Sequence, residues 1–143
     1  MHSVNHILII DDDQINNLFS QIILEDANAS ALVSVCTSVP EALDFLKEIT
    51  QSKDAAFPDL ILLDISMPTL DGFDFLDQYY ELGYPQQHKT LISMFTSSEE
   101  QEHTERAKKY DVVVGFIRKP LSMPTLLSIL DKQSISFSAN NLR

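Results

Sequence analysis

Four places in this chain carry side chains that could do chemistry together: Asp11-Asp12-Asp13, Asp64, Thr96 and Lys119. Carboxylates gathered in one site repel and raise each other's pKa unless a cation neutralises them. Their oxygens are hard ligands, and no Cys or His cluster at ligand spacing competes, so magnesium is expected rather than zinc. Lys119 and the Thr96 hydroxyl then suit an incoming anion. A cation, a lysine, a hydroxyl and a nucleophilic carboxylate together describe a site for making an aspartyl phosphate, with Asp64 as the reacting group.

The elements that must position these groups are legible as apolar runs. His6 to Ile10 empties into Asp11, and Leu60-Ile61-Leu62-Leu63 into Asp64. Leu91 to Phe95 ends at Thr96, and Val112 to Ile117 leads into Arg118-Lys119-Pro120. Ala31 to Cys36 forms one more run. Unbroken apolar runs of this length read as strands buried on both faces of a parallel sheet. Between them lie helices. Ile15, Leu18, Phe19 and Ile22 fall at helical spacing and predict an amphipathic helix from about Gln14 to Asp26, capped by Asp13. Ser38 and Glu41 have capping-box spacing and open a second helix, with Ala42, Leu43, Leu46 and Ile49 on one face. A third begins at Gly72 and stops near Leu82-Gly83, and a fourth is expected from Ser98 to about Tyr110, its acids first and Lys108-Lys109 last. The last follows Pro120, with Leu126, Leu127 and Leu130 on its buried side. Five strands alternating with five helices predict an α/β fold: a doubly wound parallel sheet with right-handed crossovers. In such a sheet every carboxyl end faces the same edge, where open α/β sheets place their ligands. Residues 1–143 read as one domain, its core about 5–131 and its polar end 134–143.

Lys and Arg total 10 against 21 Asp and Glu, a formal charge of −11. Such a chain is expected to bind neither nucleic acid nor an anionic membrane. The one cysteine, Cys36, cannot form an internal disulfide and reads as a small buried hydrophobe. With no apolar stretch of membrane-spanning length, a cytoplasmic protein is expected. The histidines His2, His6, His88 and His103 show no ligand spacing and read as surface or edge residues. Tyr79, Tyr80 and Tyr84 are expected to cover the end of the third helix.

From about Asn5 to Leu130 the chain resembles a response-regulator receiver domain of two-component signalling, of the stand-alone kind found in chemotaxis regulators. The resemblance rests on the acid cluster after the first strand, Asp64-Ile65-Ser66-Met67-Pro68 with Asp71-Gly72, Thr96, and Lys119-Pro120, in that order. It implies a flavodoxin-like sheet of strand order 2-1-3-4-5. It implies Asp64 as phosphoacceptor, supplied by a histidine kinase or a histidine phosphotransfer protein. Asp12 would bind Mg2+ directly, Asp11 mainly through water, and the Ser66 backbone carbonyl would be a further ligand beside Asp64. Lys119 would pair with Asp64 and then with a phosphoryl oxygen. Thr96 and Phe116 would form the switch, and the surface from about Ser98 to Asp131 would meet a downstream target protein. Such a domain would be no enzyme beyond its own phosphorylation and dephosphorylation. Phe116 stands where Tyr is frequent, so the ring is kept and the hydroxyl lost. Ser66 and Ser98 occupy variable positions beside the path of hydrolytic water.

Two rivals share parts of the pattern. A haloacid-dehalogenase-type phosphatase would use Asp11 and Asp13, but expects an acid pair after its lysine, and none follows Lys119. A flavodoxin-like cofactor binder expects a hydroxyl- and glycine-rich phosphate loop after the first strand, where three acids stand here. A phosphate-independent interaction module on the same fold has no positive support, since every site residue is present.

Overall fold

The computed structural model describes residues 4–96 and 101–131, with 31, 101 and 102 described by backbone alone. The strands are β1 (Val4–Ile10), β2 (Ser30–Cys36), β3 (Leu60–Asp64), β4 (Leu91–Thr96) and β5 (Val113–Arg118). All pair in parallel, in the order β2-β1-β3-β4-β5. This is the flavodoxin-like order. The helices are α1 (Gln14–Asp26), α2 (Val39–Thr50), α3 (Gly72–Glu81), α4 (Tyr84–Gln87), α5 (Gln101–Ala107) and α6, which runs through 123–131. His2, Ser98 to Glu100 and the tail from Ser134 to Arg143 lie outside the described residues.

Among the described residues the expected count of five helices is corrected to six. The added element is α4, a single turn after α3. Gly83 adopts a left-handed φ of 77° and ends the first helix, and Pro85 sits within the opening turn of the next. Proline lacks only an N–H that a first turn leaves free anyway, so it starts this turn rather than marking a break.

Alternation along the strands sends side chains to two cores. Leu8, Ile10, Ile61 and Leu63 pack with α2, α3 and α5 on one face. Ile7, Ile9, Leu60 and Leu62 pack with α1 and α6 on the other. Cys36 is buried, and burial pushes its thiol up to about 12, so it is inert packing. Tyr79 and Tyr84 are buried at the end of α3, with ring centroids 5.2 Å apart.

Three expectations about side chains need correcting. His6 is no surface residue: it is 1% exposed. Its Nδ1 lies 2.8 Å from the Ala56 carbonyl and its Nε2 2.8 Å from Ser34 Oγ. A carbonyl only accepts, so Nδ1 carries the proton and Nε2 accepts from the hydroxyl. With both nitrogens satisfied, the ring tolerates burial. Leu127 points outward, 55% exposed, while Leu126 and Leu130 are buried. The apolar stripe of α1 also faces out. Ile15, Leu18, Phe19 and Ile22 are 46–69% exposed, while Asn16, Asn17, Ser20 and Leu24 turn inward. Periodicity defines a stripe but not the side on which the sheet lies.

Candidate functional site

The acids sit where β1 and β3 end. Asp11 follows β1 and is tied to β2 by its backbone N–H, which donates to the Cys36 carbonyl at 3.0 Å. Asp13 caps α1 by accepting from the N–H groups of Ile15 and Asn16 at 3.0 and 3.1 Å, as expected of a residue in that place. Asp12 is left exposed between them. Asp64 closes β3, in register with Phe95 of β4. The loop beyond it folds back tightly: Gly72 N–H donates to the Ile65 carbonyl at 2.9 Å. A Cβ on Gly72 would lie 2.6 Å from the Asp64 carbonyl oxygen, a separation no side chain tolerates. Asp71 and Asp74 then cap α3 reciprocally at 2.9 and 2.8 Å.

Lys119 comes from the far side. Its N–H donates to the Thr96 carbonyl at 3.0 Å, which ties the end of β4 to the turn after β5, and its peptide bond to Pro120 is cis. Its ammonium reaches across the sheet edge to Asp11 Oδ2 at 3.1 Å and Oδ1 at 3.3 Å, and to Asp64 Oδ2 at 3.4 Å. The lysine is therefore shared, and its nearer partner is Asp11.

Asp11 and Asp64 are both buried, and each loses solvation of its charge. Burial, with the adjoining Asp11 charge and hydrogen bond, pushes the Asp64 carboxyl up to about 7, against the pull of Lys119 and the Ser66 N–H at 3.3 Å. For Lys119, burial works against the charge. The hydrogen bond and charge of Asp11, then those of Asp64, outweigh it and raise its pKa. Asp11, Asp12 and Asp64 each offer a carboxylate oxygen, all within 4.8 Å of one another. Three hard oxygens, with one acid facing solvent and two inside, suit a divalent cation.

The other expected residues lie on the same edge or behind it. Thr96 ends β4, one position beyond the residue opposite Asp64, and is half-buried. Ser66 is exposed in the loop after β3. Phe116 is set back along β5, opposite Met94, half-buried against the α3 and α5 core. A groove of about 360 Å³ opens beside Asp12, bordered by Ser38, Met67, Pro68 and Thr69. Sequence reasoning missed the two amides beneath Asp11. Asn16 Nδ2 donates to Asp11 Oδ2 at 2.7 Å, and Asn17 Nδ2 to the Asp11 backbone carbonyl at 2.9 Å. Their only signal was two adjacent amides on the polar side of an amphipathic helix.

Such an edge, with paired acids and a lysine over a third carboxylate, defines a class that comparison with known proteins confirms. The chain belongs to the response regulator receiver domain family of two-component systems, matched over residues 7–131. It is 37% identical over 127 residues to a protein-glutamate methylesterase/protein-glutamine glutaminase of Methanospirillum hungatei, covering 86% of this chain. It spans only 33% of that enzyme, the receiver part. A two-component response regulator from Cytophaga hutchinsonii superposes with a TM-score of 0.83 at 25% identity, covering 91% of this chain and 96% of that one. The receiver domain of the histidine kinase CKI1 from Arabidopsis thaliana, solved with Mg2+, shares the fold with a TM-score of 0.77 at 22% identity, covering 92% of each chain. Among the described residues no helix is long and apolar enough to cross a membrane.

Proposed function

We propose that this chain is a phosphorylatable switch in which Asp64 takes a phosphoryl group from a phosphohistidine and passes the event on by protein contact. One observation carries the reading: Lys119 bridges Asp11 and Asp64 at 3.1 and 3.4 Å beside a three-carboxylate cluster. An Asp64 oxygen attacks phosphorus, the P–N bond breaks, and its electron pair stays with the leaving imidazole. The nucleophile must be ionised, yet its carboxyl is pushed up to about 7 by burial and by Asp11. The cation we assign is Mg2+, held by Asp11, Asp12, Asp64 and the Ser66 backbone carbonyl; it would favour the ionised carboxylate and offset phosphoryl charge. Lys119 then turns from Asp11 and Asp64 to a phosphoryl oxygen, and the Thr96 hydroxyl donates to another.

Thr96 and Phe116 form the switch, because the lysine backbone already hangs on the Thr96 carbonyl and Phe116 lies two positions back on the neighbouring strand. Cavities of about 250 and 290 Å³ beside Phe116, toward α5 and toward α6, leave the ring room to move. The surface of α5, β5 and α6 is the one a downstream protein would read. The phosphohistidine partner is expected on α1. Its exposed stripe begins two residues after the Asp13 cap, next to the mouth of the site, and its i, i+3, i+4, i+7 spacing fits a partner helix. Residues 1–143 act as one receiver in this reading, without nucleic-acid binding, in the cytoplasm.

Acetyl phosphate with Mg2+ tests the chemistry. Wild type should gain one acid-stable, base-labile phosphate and Asp64→Asn none; equal labelling of the two would refute the assignment.

A further inference from the structure

Helix α1 turns amides toward the core and aliphatic side chains toward water. Asn16 and Asn17 are each 5% exposed, and Ser20 is fully buried. A buried amide is unfavourable unless its hydrogen bonds are made. Here they are made only in part: Oδ1 of Asn16, Oδ1 of Asn17 and the Ser20 hydroxyl have no hydrogen-bond partner among the described residues. A leucine at position 16 would leave no orphaned oxygen, so packing gives no reason for the amide. Its other end does. Asn16 Nδ2 donates to Asp11 Oδ2 at 2.7 Å, nearer than Lys119 at 3.1 Å or the Asp13 N–H, which donates to Oδ1 at 2.9 Å. A carboxylate only accepts, so the amide has one possible orientation.

We propose that Asn16 is a positioning residue for phosphoryl transfer to Asp64: its amide holds the Asp11 carboxylate in place, so that Lys119 remains shared with Asp64 and the acid cluster stays open to the cation. The proposal rests on the phosphoacceptor reading of Asp64. Two donors, the Asp13 N–H and the Asn16 amide, clamp one oxygen of Asp11 each. Without the second clamp, Lys119 is the remaining cationic donor to that carboxylate and is drawn toward it, away from Asp64.

The test compares wild type with Asn16→Leu and Asn17→Leu, each checked for folding by its metal-free melting curve. Mg2+ affinity is read by calorimetric titration without phosphate, and labelling by acetyl phosphate at saturating Mg2+. Asn17 is equally buried on the same helix, but its amide meets the Asp11 backbone rather than the carboxylate. A merely structural role moves both variants alike. Positioning predicts that Asn16→Leu weakens Mg2+ binding roughly 10-fold and slows labelling, with Asn17→Leu close to wild type. Unchanged affinity in Asn16→Leu, or equal losses in both, overturns the proposal. Should Asn16→Leu fail to fold, the pair Asn16→Gln and Asn16→Met replaces it, being of one length and differing in the amide. Gln must then bind Mg2+ more tightly than Met, and equal affinities overturn the proposal. A wild type that takes no label overturns the phosphoacceptor reading itself. A labelled wild type beside an unaffected Asn16→Leu overturns only the role of Asn16.

Discussion

At the scale of single residues, the site is a set of charges held against their preference. Without a cation, Asp64 keeps its proton up to about 7 in the folded chain, while an unfolded Asp releases it near 3.8. Between those values the folded state binds more protons than the unfolded one, so metal-free stability must fall as pH rises. Lys119 titrates far above this window and does not contribute to the slope. Melting in a chelator at pH 5 and at pH 8 should therefore show a decline that Asp64→Asn reduces. At the higher pH that variant should be the more stable protein, by on the order of 1–2 kcal/mol after allowing for solvent screening at the open side of the site. A wild-type profile as flat as that of Asp64→Asn would contradict the assigned burial of charge. Gly72 gives a second prediction. In Gly72→Ala the new methyl meets the Asp64 carbonyl oxygen and also lies 3.2 Å from Met94 Cε, so backbone must move. Such overpacking costs about 2 kcal/mol, and because the displaced atom belongs to Asp64, labelling by acetyl phosphate should slow as well. A normal melting temperature with normal labelling would mean that the loop yields freely.

At the scale of elements, helix α1 is the one the sequence leaves ambiguous. Its bounds and cap follow from Asp13 and from the spacing of Ile15, Leu18, Phe19 and Ile22. Its rotation does not, because an apolar stripe and an amide stripe lie on opposite sides and only the end of β1 decides between them. Asp11 draws Asn16 and Asn17 inward, and the aliphatic side goes out. The strands and the site acids were readable for the opposite reason. Both faces of β1 and β3 are covered, so residues 7–10 and 60–63 are apolar throughout, and a carboxylate at the end of such a run can only be at the sheet edge. His6 was misjudged because its partners, Ala56 and Ser34, are 50 and 28 residues away in sequence. Helix α4 was missed because Pro85 reads equally well as a stop and as a first turn. The outward face of α1 yields its own prediction. Leu18→Ala with Phe19→Ala should weaken transfer from a phosphorylated histidine phosphotransfer protein about 10-fold or more, as expected when central apolar anchors are truncated. Labelling by acetyl phosphate should stay unchanged. A matching loss with the small donor would place the damage in the chemistry, not in docking.

At the scale of the whole molecule, the sheet order puts the end of β1 beside that of β3, and this adjacency makes one site from residues 53 positions apart, Asp11 and Asp64. The cation, the lysine and the proposed partner surface all meet at that edge. The residues proposed to respond lie farther across the sheet, Thr96 at the end of β4 and Phe116 on the edge strand β5. The outward stripe of α1 has a consequence for the protein on its own. A contiguous apolar face of this kind ordinarily invites copies of a protein to associate. Here each copy carries a formal charge of −11, so like-charged molecules keep their distance at low ionic strength. Added salt shortens the reach of that repulsion to about 8 Å near physiological concentration and to about 3 Å at 1 M. Sedimentation should accordingly find the chain monomeric in dilute buffer and increasingly self-associated as sodium chloride rises, with Phe19→Ser abolishing the trend. A salt-independent monomer would mean that the stripe is too small to be sticky. On this view the acids outside the site serve as colloidal protection for an adhesive face that must remain bare until the right partner arrives.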